Sequence, residues 1–483
     1  MNFQFYNFTI FKRIIFCLIF LSGFLVWGNV QAACTGSSPT WTAADCSEEE
    51  VSACITAASS GDTVTIPSGD CSGTPWTTGV TIPSEKNITI QGAGYTNTII
   101  AHSGCDAFNL NGTASRLTGI QIKHIPDTTG YGVVAFKTGW RIDHCFLNRN
   151  DDRDAGGATT YEYRAITTYR TGGGIQPDPI TGLIDNNIIH GRIDLGGLYS
   201  TPSATEWTQP SHIGTENAVY VEDNVFNRID CDHANVIDSN RGISYVARYN
   251  TITGHAQFMA HGTQLNTRGT RNWEIYGNNF VADKKVWMGP VTIMGGTGIV
   301  AFNTATGQWN NGAASPRFYP YVMDGCTGDY PCTDQVGRGK DQELDPAYLF
   351  SNFTGETLTV RWTRYGTVSH IQEGRDYYIQ GSSFDGTSGV GCGTLANRPA
   401  TCTTGVAYWA TNQSCTDMTG LVGAVDPEGD RPDVSYKIDG ALYKCTATNT
   451  WTSYYTPYEY PHRLRTEAYD IVAPASPTGL SVS

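Results

Sequence analysis

The feature that most constrains the fold of this chain is a short phrase that recurs along its middle. In each copy a hydrophobic residue is followed by two variable residues and an Asn, and then by further apolar residues. The copies begin at these residues, with Cys in the Asn position of the first: Ile142, Ile184, Val221, Ala247, Ile275, Val300 and Leu349. The Asn residues of the copies from Val221 to Val300 recur every 25 to 28 residues, a period typical of a solenoid.

Each copy predicts one short strand, and stacked coils would bury their apolar sides in one continuous core. Apolar residues alternate around the phrase, as a strand requires. Asn tolerates left-handed backbone angles and is expected at the bend after each strand, where it can also bond to the Asn of the next coil. A sandwich of hairpins is the alternative, because it too has short strands and Asn-rich turns. The predicted inward residues are Val219, Val221, Tyr245, Ala247, Trp273 and Ile275.

The chain begins with a predicted export signal, residues 1–32. Lys12 and Arg13 precede an apolar run, and cleavage is expected near Ala32 or Ala33. Cleavage would remove two of the 31 Lys and Arg residues and none of the 45 Asp and Glu residues, so the formal charge of −14 becomes more negative by two. We therefore expect a secreted, extracellular, periplasmic or cell-surface protein without a nucleic-acid partner or stable membrane insertion. An uncleaved anchor is the alternative.

Cysteine usage fits export, because disulfides form in oxidising compartments. Cys17 leaves with the signal, so an odd number of the 14 cysteines remains and one is unpaired unless it bonds another chain. The pairs expected from sequence proximity are Cys34–Cys46, Cys54–Cys71, Cys326–Cys332, Cys392–Cys402 and Cys415–Cys445. Cys105, Cys145 and Cys231 are left over. A catalytic thiol at Cys231 is an alternative to a buried or paired one.

A capping helix is predicted from Ser47 to Ala58, with Ser47 as N-cap and an apolar stripe that begins at Val51. Strands follow in GDTVTIP (61–67), in VTIP (80–83) and in KNITIQGAG (86–94). This opening resembles that of secreted right-handed parallel β-helix proteins of the pectate-lyase-like superfamily. The resemblance extends from about Ser47 to Tyr378 and includes the GGTG phrase that starts at Gly295, although this chain has Met294 where such proteins often have Arg.

The resemblance implies an all-β fold, a right-handed parallel β-helix over residues 33–380 including the capping helix. Residues 381–470 are rich in Cys and Tyr and predict a disulfide-stapled cap over the C-terminal end. Residues 471–483 form a Pro- and Ser-containing tail that we expect to be disordered.

An outward column is predicted one residue after the inward position that begins each phrase. It contains Asp143, Asp185, Glu222, Arg248 and Tyr276. Stacked at the spacing of neighbouring strands, about 4.8 Å, such side chains would form a charged groove suited to a long sugar polymer. We therefore assign Glu222 and Tyr276 to substrate binding. The alternative is an ordinary set of surface ion pairs.

Acidic residues gather next to this face at Asp230, Asp232 and Asp238. Carboxylate and carbonyl oxygens of a flexible loop are the ligands that Ca²⁺ prefers, so these residues predict a calcium site. A solvated turn is the alternative.

The predicted catalytic group comprises His261, Arg268 and Arg271 from the segment between two strands, together with Arg248. In a polysaccharide lyase a base removes the proton at C5 of a uronic acid, and positive charge stabilises the enolate that forms. A neutral His261, or an Arg or Lys held by its neighbours, is the candidate base, and Arg248, Arg268 or Arg271 could neutralise the carboxylate. His255 is assigned to substrate binding. The structural alternative is that His261 lies in a turn and the arginines pair with Glu274.

We therefore predict a monomeric polysaccharide lyase that cleaves a uronic-acid-containing polysaccharide by β-elimination. Two other functions stay open at this point. A glycoside hydrolase would need a pair of carboxylates, for which Glu222, Asp230, Asp232 and Asp238 are candidates. A non-catalytic glycan-binding or surface protein would use aromatic residues, but Tyr245 and Trp273 are predicted to point inward.

Overall fold

The structure is a computed structural model in which the following residues are described: 34–125, 130–149, 164–169, 179–197, 205–228, 235–254, 257–263, 267–282, 289–307, 309, 318–320, 330–352, 370–411, 415 and 440–465. The predicted export signal and the predicted C-terminal tail lie outside these residues. Among the helices in the described part, none is long and apolar enough to cross a membrane.

Most strands belong to three long sheets, each listed here in spatial order. Sheet A contains β1 (Thr35–Ser37), β2 (Thr40–Thr42), β3 (Thr63–Ile66), β6 (Thr89–Gly92), β9 (Arg116–Thr118), β12 (Trp140–Asp143), β15 (Gly182–Asp185), β18 (Val219–Glu222), β21 (Ser244–Arg248), β24 (Asn272–Tyr276), β27 (Thr297–Ala301), β30 (Ala347–Phe350) and β31 (Tyr377–Ile379). Sheet B contains β4 (Gly69–Asp70), β7 (Thr98–His102), β10 (Gln121–His124), β13 (Phe146–Arg149), β16 (Ile188–His190), β19 (Val225–Arg228), β22 (Thr251–Gly254), β25 (Asn279–Ala282) and β28 (Thr304–Gly307). Sheet C contains β5 (Val80–Ile82), β8 (Phe108–Leu110), β11 (Val133–Ala135), β14 (Arg164–Thr167), β17 (Arg192–Gly196), β20 (Asn235–Asn240), β23 (Gln257–Ala260), β26 (Val291–Ile293) and β29 (Phe318–Pro320).

Successive strands of the chain pass from sheet A to sheet B to sheet C, and each pairs in parallel with the strand one coil away. Only the short β1–β2 pair in these sheets is antiparallel among the described residues. The repeated phrase sets the register of sheet A, because Val221 pairs with Ala247 and Ala247 with Ile275. The predicted parallel β-helix is confirmed by this pairing.

The six residues predicted to point inward all belong to the buried core of the coil. The predicted capping helix is also confirmed: α1 spans Glu48–Ala57, with Ser47 as N-cap and Val51, Cys54 and Ile55 buried. Short 3₁₀ helices occur at Thr205–Thr208, Lys340–Gln342 and Leu395–Asn397.

A buried ladder of Asn side chains runs along the turn between sheets A and B. The Oδ1 atom of Asn250 accepts the backbone N–H of Asn224 at 3.0 Å, and Asn278 does the same for Asn250 at 3.0 Å. The predicted axial bonding is therefore confirmed. The predicted left-handed conformation of Asn is wrong, because the residue before it has the positive φ, as at Asp223 and Tyr249. This bend turns the Asn side chain inward, where its oxygen accepts the backbone N–H of the Asn in the neighbouring coil.

Replacing Asn250 with Ala is expected to lower the free energy of unfolding by about 2 kcal/mol, because the buried N–H of Asn224 loses its acceptor. Urea unfolding would measure the change. Asn279→Ala is the matched control, since that half-buried side chain lies outside the ladder and, among the described residues, accepts a hydrogen bond from Thr304. Equal losses in the two variants would contradict the role assigned to the ladder.

Four disulfides are described: Cys34–Cys54, Cys46–Cys71, Cys392–Cys415 and Cys402–Cys445. The four pairs predicted from proximity for these cysteines are wrong, because each Cys bonds the next cysteine but one along the chain rather than the next one. Cys332 is also disulfide-bonded, whereas its predicted partner Cys326 lies outside the described residues. Cys105 and Cys145, two of the three cysteines left over from the predicted pairs, are free thiols, and Cys231 lies outside the described part.

A small fourth sheet follows the coil. Sheet D contains β32 (Val390–Gly393), β33 (Ala407–Ala410), β34 (Ala441–Ala447) and β35 (Thr450–Tyr455). Its residues Trp409 and Tyr455 share a second buried cluster with outward residues of sheet A, including Tyr276 and Phe350. Sheet D therefore packs against the outer face of sheet A, whereas the sequence predicted a cap over the end of the coil.

Candidate functional site

The charged column predicted on sheet A is present but is not exposed. Glu222 and Arg248 are fully buried, and Tyr276 is nearly so. Glu222 accepts from Nε of Arg248 at 2.7 Å, and Tyr276 accepts from Nη1 of the same guanidinium at 3.0 Å. The expectation of an open charged groove on this face is therefore wrong.

The last residue of sheet D and the segment after it cover this column, and we call residues 455–465 the C-terminal strap. The strap runs along the coil axis from β24 back to β12. Tyr455 donates to Glu274 at 2.6 Å, and the backbone carbonyl of Tyr458 accepts from Arg248 at 2.7 Å. At the far end, the carbonyl of Leu464 accepts from Arg141 at 3.1 Å.

Arg465 of the strap lies among three carboxylates of the sheet A face. Its Nε is 3.1 Å from Asp185 and 3.0 Å from Glu222, and its Nη2 pairs with Asp223. Burial opposes ionisation of Glu222, but the guanidiniums of Arg248 and Arg465 lower the pKa of this carboxyl to about 2. Arg248 and Glu222 are thus partners in a buried ionic network.

A cluster of charge that is partly exposed to solvent lies instead on the outer face of sheet C. Asp194 in β17 and Asp238 in β20 are register partners on neighbouring strands. Nη1 of Arg192 is 3.4 Å from Asp238, and Nε of the same side chain pairs with Asp194. His261, which follows β23, places Nε2 at 2.9 Å from Asp238. We call Arg164, Arg192, Asp194, Asp238 and His261 the sheet C cluster.

The two carboxylates of the sheet C cluster have different surroundings. Asp194 is 2% exposed and lies between Arg192, Arg164 and Tyr169. Burial raises the pKa of Asp194, and the nearby charge of Asp238 raises it further against the pull of the arginines. The side chain of Asp238 is 13% exposed. Burial opposes its ionisation too, but the ion pair with His261 lowers the pKa of Asp238.

The same ion pair acts on the imidazole. Burial lowers the pKa of His261, but the charge of Asp238 outweighs this and raises it. His261 therefore favours the imidazolium form while Asp238 favours the carboxylate. Pairs of titratable groups whose pKa values are moved apart are typical of acid–base sites.

Arg268 and Arg271 lie next to the sheet C cluster but face other groups. The guanidinium of Arg268 pairs with Asp334 through two nitrogens, at 2.7 and 2.6 Å. Both guanidiniums lie 5.3 Å from the ring of Trp207. Arg271 is buried and donates to the carbonyl of Gln209 at 3.3 Å. These contacts hold the turn between sheets C and A. The carboxylate that pairs with Arg268 is that of Asp334, whereas the alternative considered from sequence was Glu274.

The described residues contain no group of three or more His, Cys, Asp and Glu side chains that could hold a metal ion. Asp238, one of the three predicted calcium ligands, is bonded to His261 and Arg192. Asp230 and Asp232 lie outside the described part, as does His255. The calcium site and the substrate-binding role of His255 therefore stay predictions.

Sequence reasoning identified two members of the sheet C cluster, His261 and Asp238, but assigned them to separate sites. It missed Asp194, Arg192 and Arg164. The available signal was an Ile-Asp pair in 193–194 and again in 237–238. The same pair also occurs in 142–143 and 184–185, where the Asp lies buried on the outer face of sheet A. The dipeptide alone does not tell the two faces apart.

No family model matches the sequence, and no curated protein matches it. Among solved structures, the chain is similar to a rice weevil pectin methyl esterase at 12% identity and a TM-score of 0.38, over 63% of this chain and 85% of that one. It is similar to an alginate lyase from Paenibacillus sp. at 17% identity and a TM-score of 0.27, over 56% of this chain and 95% of that one. It is similar to the catalytic unit of an α-1,3-glucanase from Streptomyces thermodiastaticus at 15% identity and a TM-score of 0.36, over 72% of this chain and 66% of that one. Likeness at this level carries no argument about activity, so the fold assignment rests on strand pairing.

Proposed function

We propose that this chain is an exported enzyme that cleaves a uronic-acid-containing polysaccharide at the sheet C cluster. The observation that carries the proposal is the register pair of Asp194 and Asp238, whose pKa values are moved in opposite directions by their surroundings. Such a pair supplies one carboxyl group that gives a proton and one carboxylate that is ionised when the substrate binds.

Hydrolysis uses both groups. Asp194, as general acid, gives its proton to the glycosidic oxygen while the bond between that oxygen and C1 breaks. The carboxylate of Asp238 forms a bond to C1, and water, deprotonated by Asp194, then displaces it and restores both groups. Neighbouring parallel strands lie about 4.8 Å apart, which suits the roughly 5 Å carboxyl separation of retaining enzymes better than the wider inverting one. His261 and Arg192 keep Asp238 ionised.

Local positive charge favours an acidic substrate. The sheet C cluster contains Arg164, Arg192 and His261 against two aspartates, and Arg241 lies nearby, 4.0 Å from the ring of Tyr169. These side chains thus carry more positive than negative charge, although the whole chain carries a formal charge of −14. A positive patch on an acidic protein attracts and orients anionic sugars.

β-Elimination is the second candidate, and the same three cations favour it because an enolate at C5 needs nearby positive charge. Its weakness is the base. The ion pair with Asp238 raises the pKa of His261 and so favours the imidazolium, a form that cannot take a proton. Arg248 is buried, and Arg268 is paired with Asp334. Calcium bound by Asp230, Asp232 or Asp238 would add positive charge and belongs to this candidate.

The test is a panel of acidic and neutral polysaccharides incubated with the mature protein, with calcium and with a chelator. New reducing ends without ultraviolet absorbance support hydrolysis, and the anomer released first, followed by NMR, checks retention. Ultraviolet absorbance from unsaturated uronates would show that the reaction is β-elimination and not hydrolysis. No cleavage of any polymer by folded protein would overturn both.

Asp238→Asn is expected to reduce kcat about 100-fold on whichever polymer is cleaved, because loss of one acid or base group costs about 100-fold or more. Initial rates at saturating substrate measure this. Asp70→Asn, on the exposed end of β4 in sheet B, is the matched control and should leave the rate unchanged. A normal rate for Asp238→Asn would remove this residue from the mechanism.

A further inference from the structure

Arg164 is the most exposed member of the sheet C cluster, with 36% of its side chain accessible. Its Nε is 2.7 Å from Oδ2 of Asp194. Its Nη1 donates to the hydroxyl of Tyr131 at 2.9 Å, and its guanidinium lies 5.6 Å from the ring of that tyrosine. The guanidinium therefore holds the buried aspartate while about a third of the side chain stays exposed to solvent.

The other partners of Asp194 are less accessible. Arg192 is 12% exposed and shared with Asp238, and Tyr169 is buried. A ligand arriving from solvent therefore meets Arg164 first. A guanidinium binds a planar carboxylate in the same way whether that carboxylate belongs to a side chain or to a sugar. The carboxylates of Asp194 and of an acidic sugar therefore compete for Arg164.

We infer that Arg164 determines substrate charge specificity by exchanging its ion pair with Asp194 for one with the uronate carboxylate of the bound sugar. This inference rests on the proposed function and adds a residue and a sequence of events to it. In the free protein burial raises the pKa of Asp194, and the guanidinium of Arg164, together with that of Arg192, opposes this rise. Binding of an acidic sugar removes that guanidinium, and Asp194 takes up a proton from solvent and is ready to act as the acid.

The exchange predicts a preference that depends on the charge of the substrate alone. A uronic acid and its methyl ester have the same ring and linkage, but only the acid can take Arg164 from Asp194. Only the acid form frees Asp194 to take up its proton, and loss of a general acid costs about 100-fold or more, so the acid form is expected to have a kcat/KM at least about 10-fold above that of the ester.

The experiment compares cleavage of a polyuronate and of its methyl ester by the wild-type protein, Arg164→Gln and Lys123→Gln. Arg164→Gln is expected to reduce the ratio of the two kcat/KM values from at least about 10 to about 1, because Asp194 then lacks this guanidinium whichever substrate is bound. Lys123→Gln removes the same charge from the outer face of sheet B and should keep the wild-type ratio. A fall on both substrates by the same factor in Arg164→Gln would overturn the inference.

Binding of short oligouronates and their esters, measured by calorimetry, separates this inference from the proposed function. Cleavage by wild type with no difference between acid and ester would leave the enzyme proposal standing and overturn the role of Arg164. Acid-dependent binding that Arg164→Gln abolishes, without any cleavage, would support Arg164 as the recognition residue and overturn catalysis. Equal binding of both oligomers by both proteins would overturn the recognition role directly.

Discussion

Replacing Arg465 with Met is expected to lower the free energy of unfolding at pH 7 by about 3–5 kcal/mol, the cost typical of removing one partner from a buried ionic network. Arg465 is 2% exposed and lies within ion-pair distance of Asp185, Glu222 and Asp223. Met fills a similar volume without a charge. Asp185 keeps Arg141 and Glu222 keeps Arg248, but Asp223 keeps only the hydroxyl of Tyr460 among its described partners.

Urea unfolding at pH 7 and at pH 4 measures this effect. The loss should be smaller at pH 4, because a protonated carboxyl group needs no counter-ion. Arg463→Met is the matched control two residues away, where a 58% exposed side chain pairs with Glu216. An exposed pair contributes at most about 1 kcal/mol. If the two variants lost the same stability, the strap would not be held by its buried charge.

The coil itself was predictable because its information is local and repeated. A phrase that recurs with an apolar residue three positions before Asn fixes both the inward positions and the register, as the pairing of Val221 with Ala247 shows. The Asn ladder was predictable for the same reason. The bend was misassigned by one residue, since the positive φ falls on Tyr249 rather than Asn250. Alternation tells which side a residue faces but not which neighbour takes the strained angle.

The burial of the outer face of sheet A was not predictable from the repeat. Alternation correctly placed Glu222 and Arg248 on the side away from the core, and outward normally means exposed. The covering residues Tyr458 and His462 are more than two hundred positions away in the chain, and nothing in their local sequence indicates where they pack. The disulfide pairs failed for the same reason, because partners are set by packing of elements and not by spacing.

The sheet C cluster shows the opposite limit. His261 and Asp238 were both singled out for their chemistry, yet only the fold brings them to 2.9 Å. Asp194 needed the register of β17 and β20 before it could be recognised as the partner of Asp238. Two residues on different coils thus cannot be recognised as neighbours from sequence, because the lengths of the loops between them do not reveal the strand register.

Glu274 is the site of the second large expected effect. Its replacement should raise the free energy of unfolding, whereas replacement of Arg465 should lower it. This fully buried carboxyl accepts from the backbone N–H of Gly214 at 2.8 Å and from the hydroxyl of Tyr455 at 2.6 Å. Burial raises its pKa from 4.5 to about 7, against the hydrogen bonds and the charge of Arg248. The folded protein thus holds this proton more tightly than the unfolded chain. Stability is therefore lost as pH rises from about 4.5 to about 7.

Glu274→Gln removes this titration and is expected to raise the free energy of unfolding at pH 8 by about 3 kcal/mol, with little change at pH 4. The amide keeps an acceptor for Gly214, and its NH₂ group can donate to Tyr455. Urea unfolding across pH 4–8 measures the difference. Glu222→Gln is the matched control from the same face, and it should destabilise at pH 7 because the pKa of Glu222 is lowered to about 2 by Arg248 and Arg465. Two neighbouring glutamates would then respond to one substitution in opposite directions, which only their different counter-ions explain. Destabilisation of Glu274→Gln at pH 8 would show that its carboxylate is stabilised by the strap rather than opposed by burial.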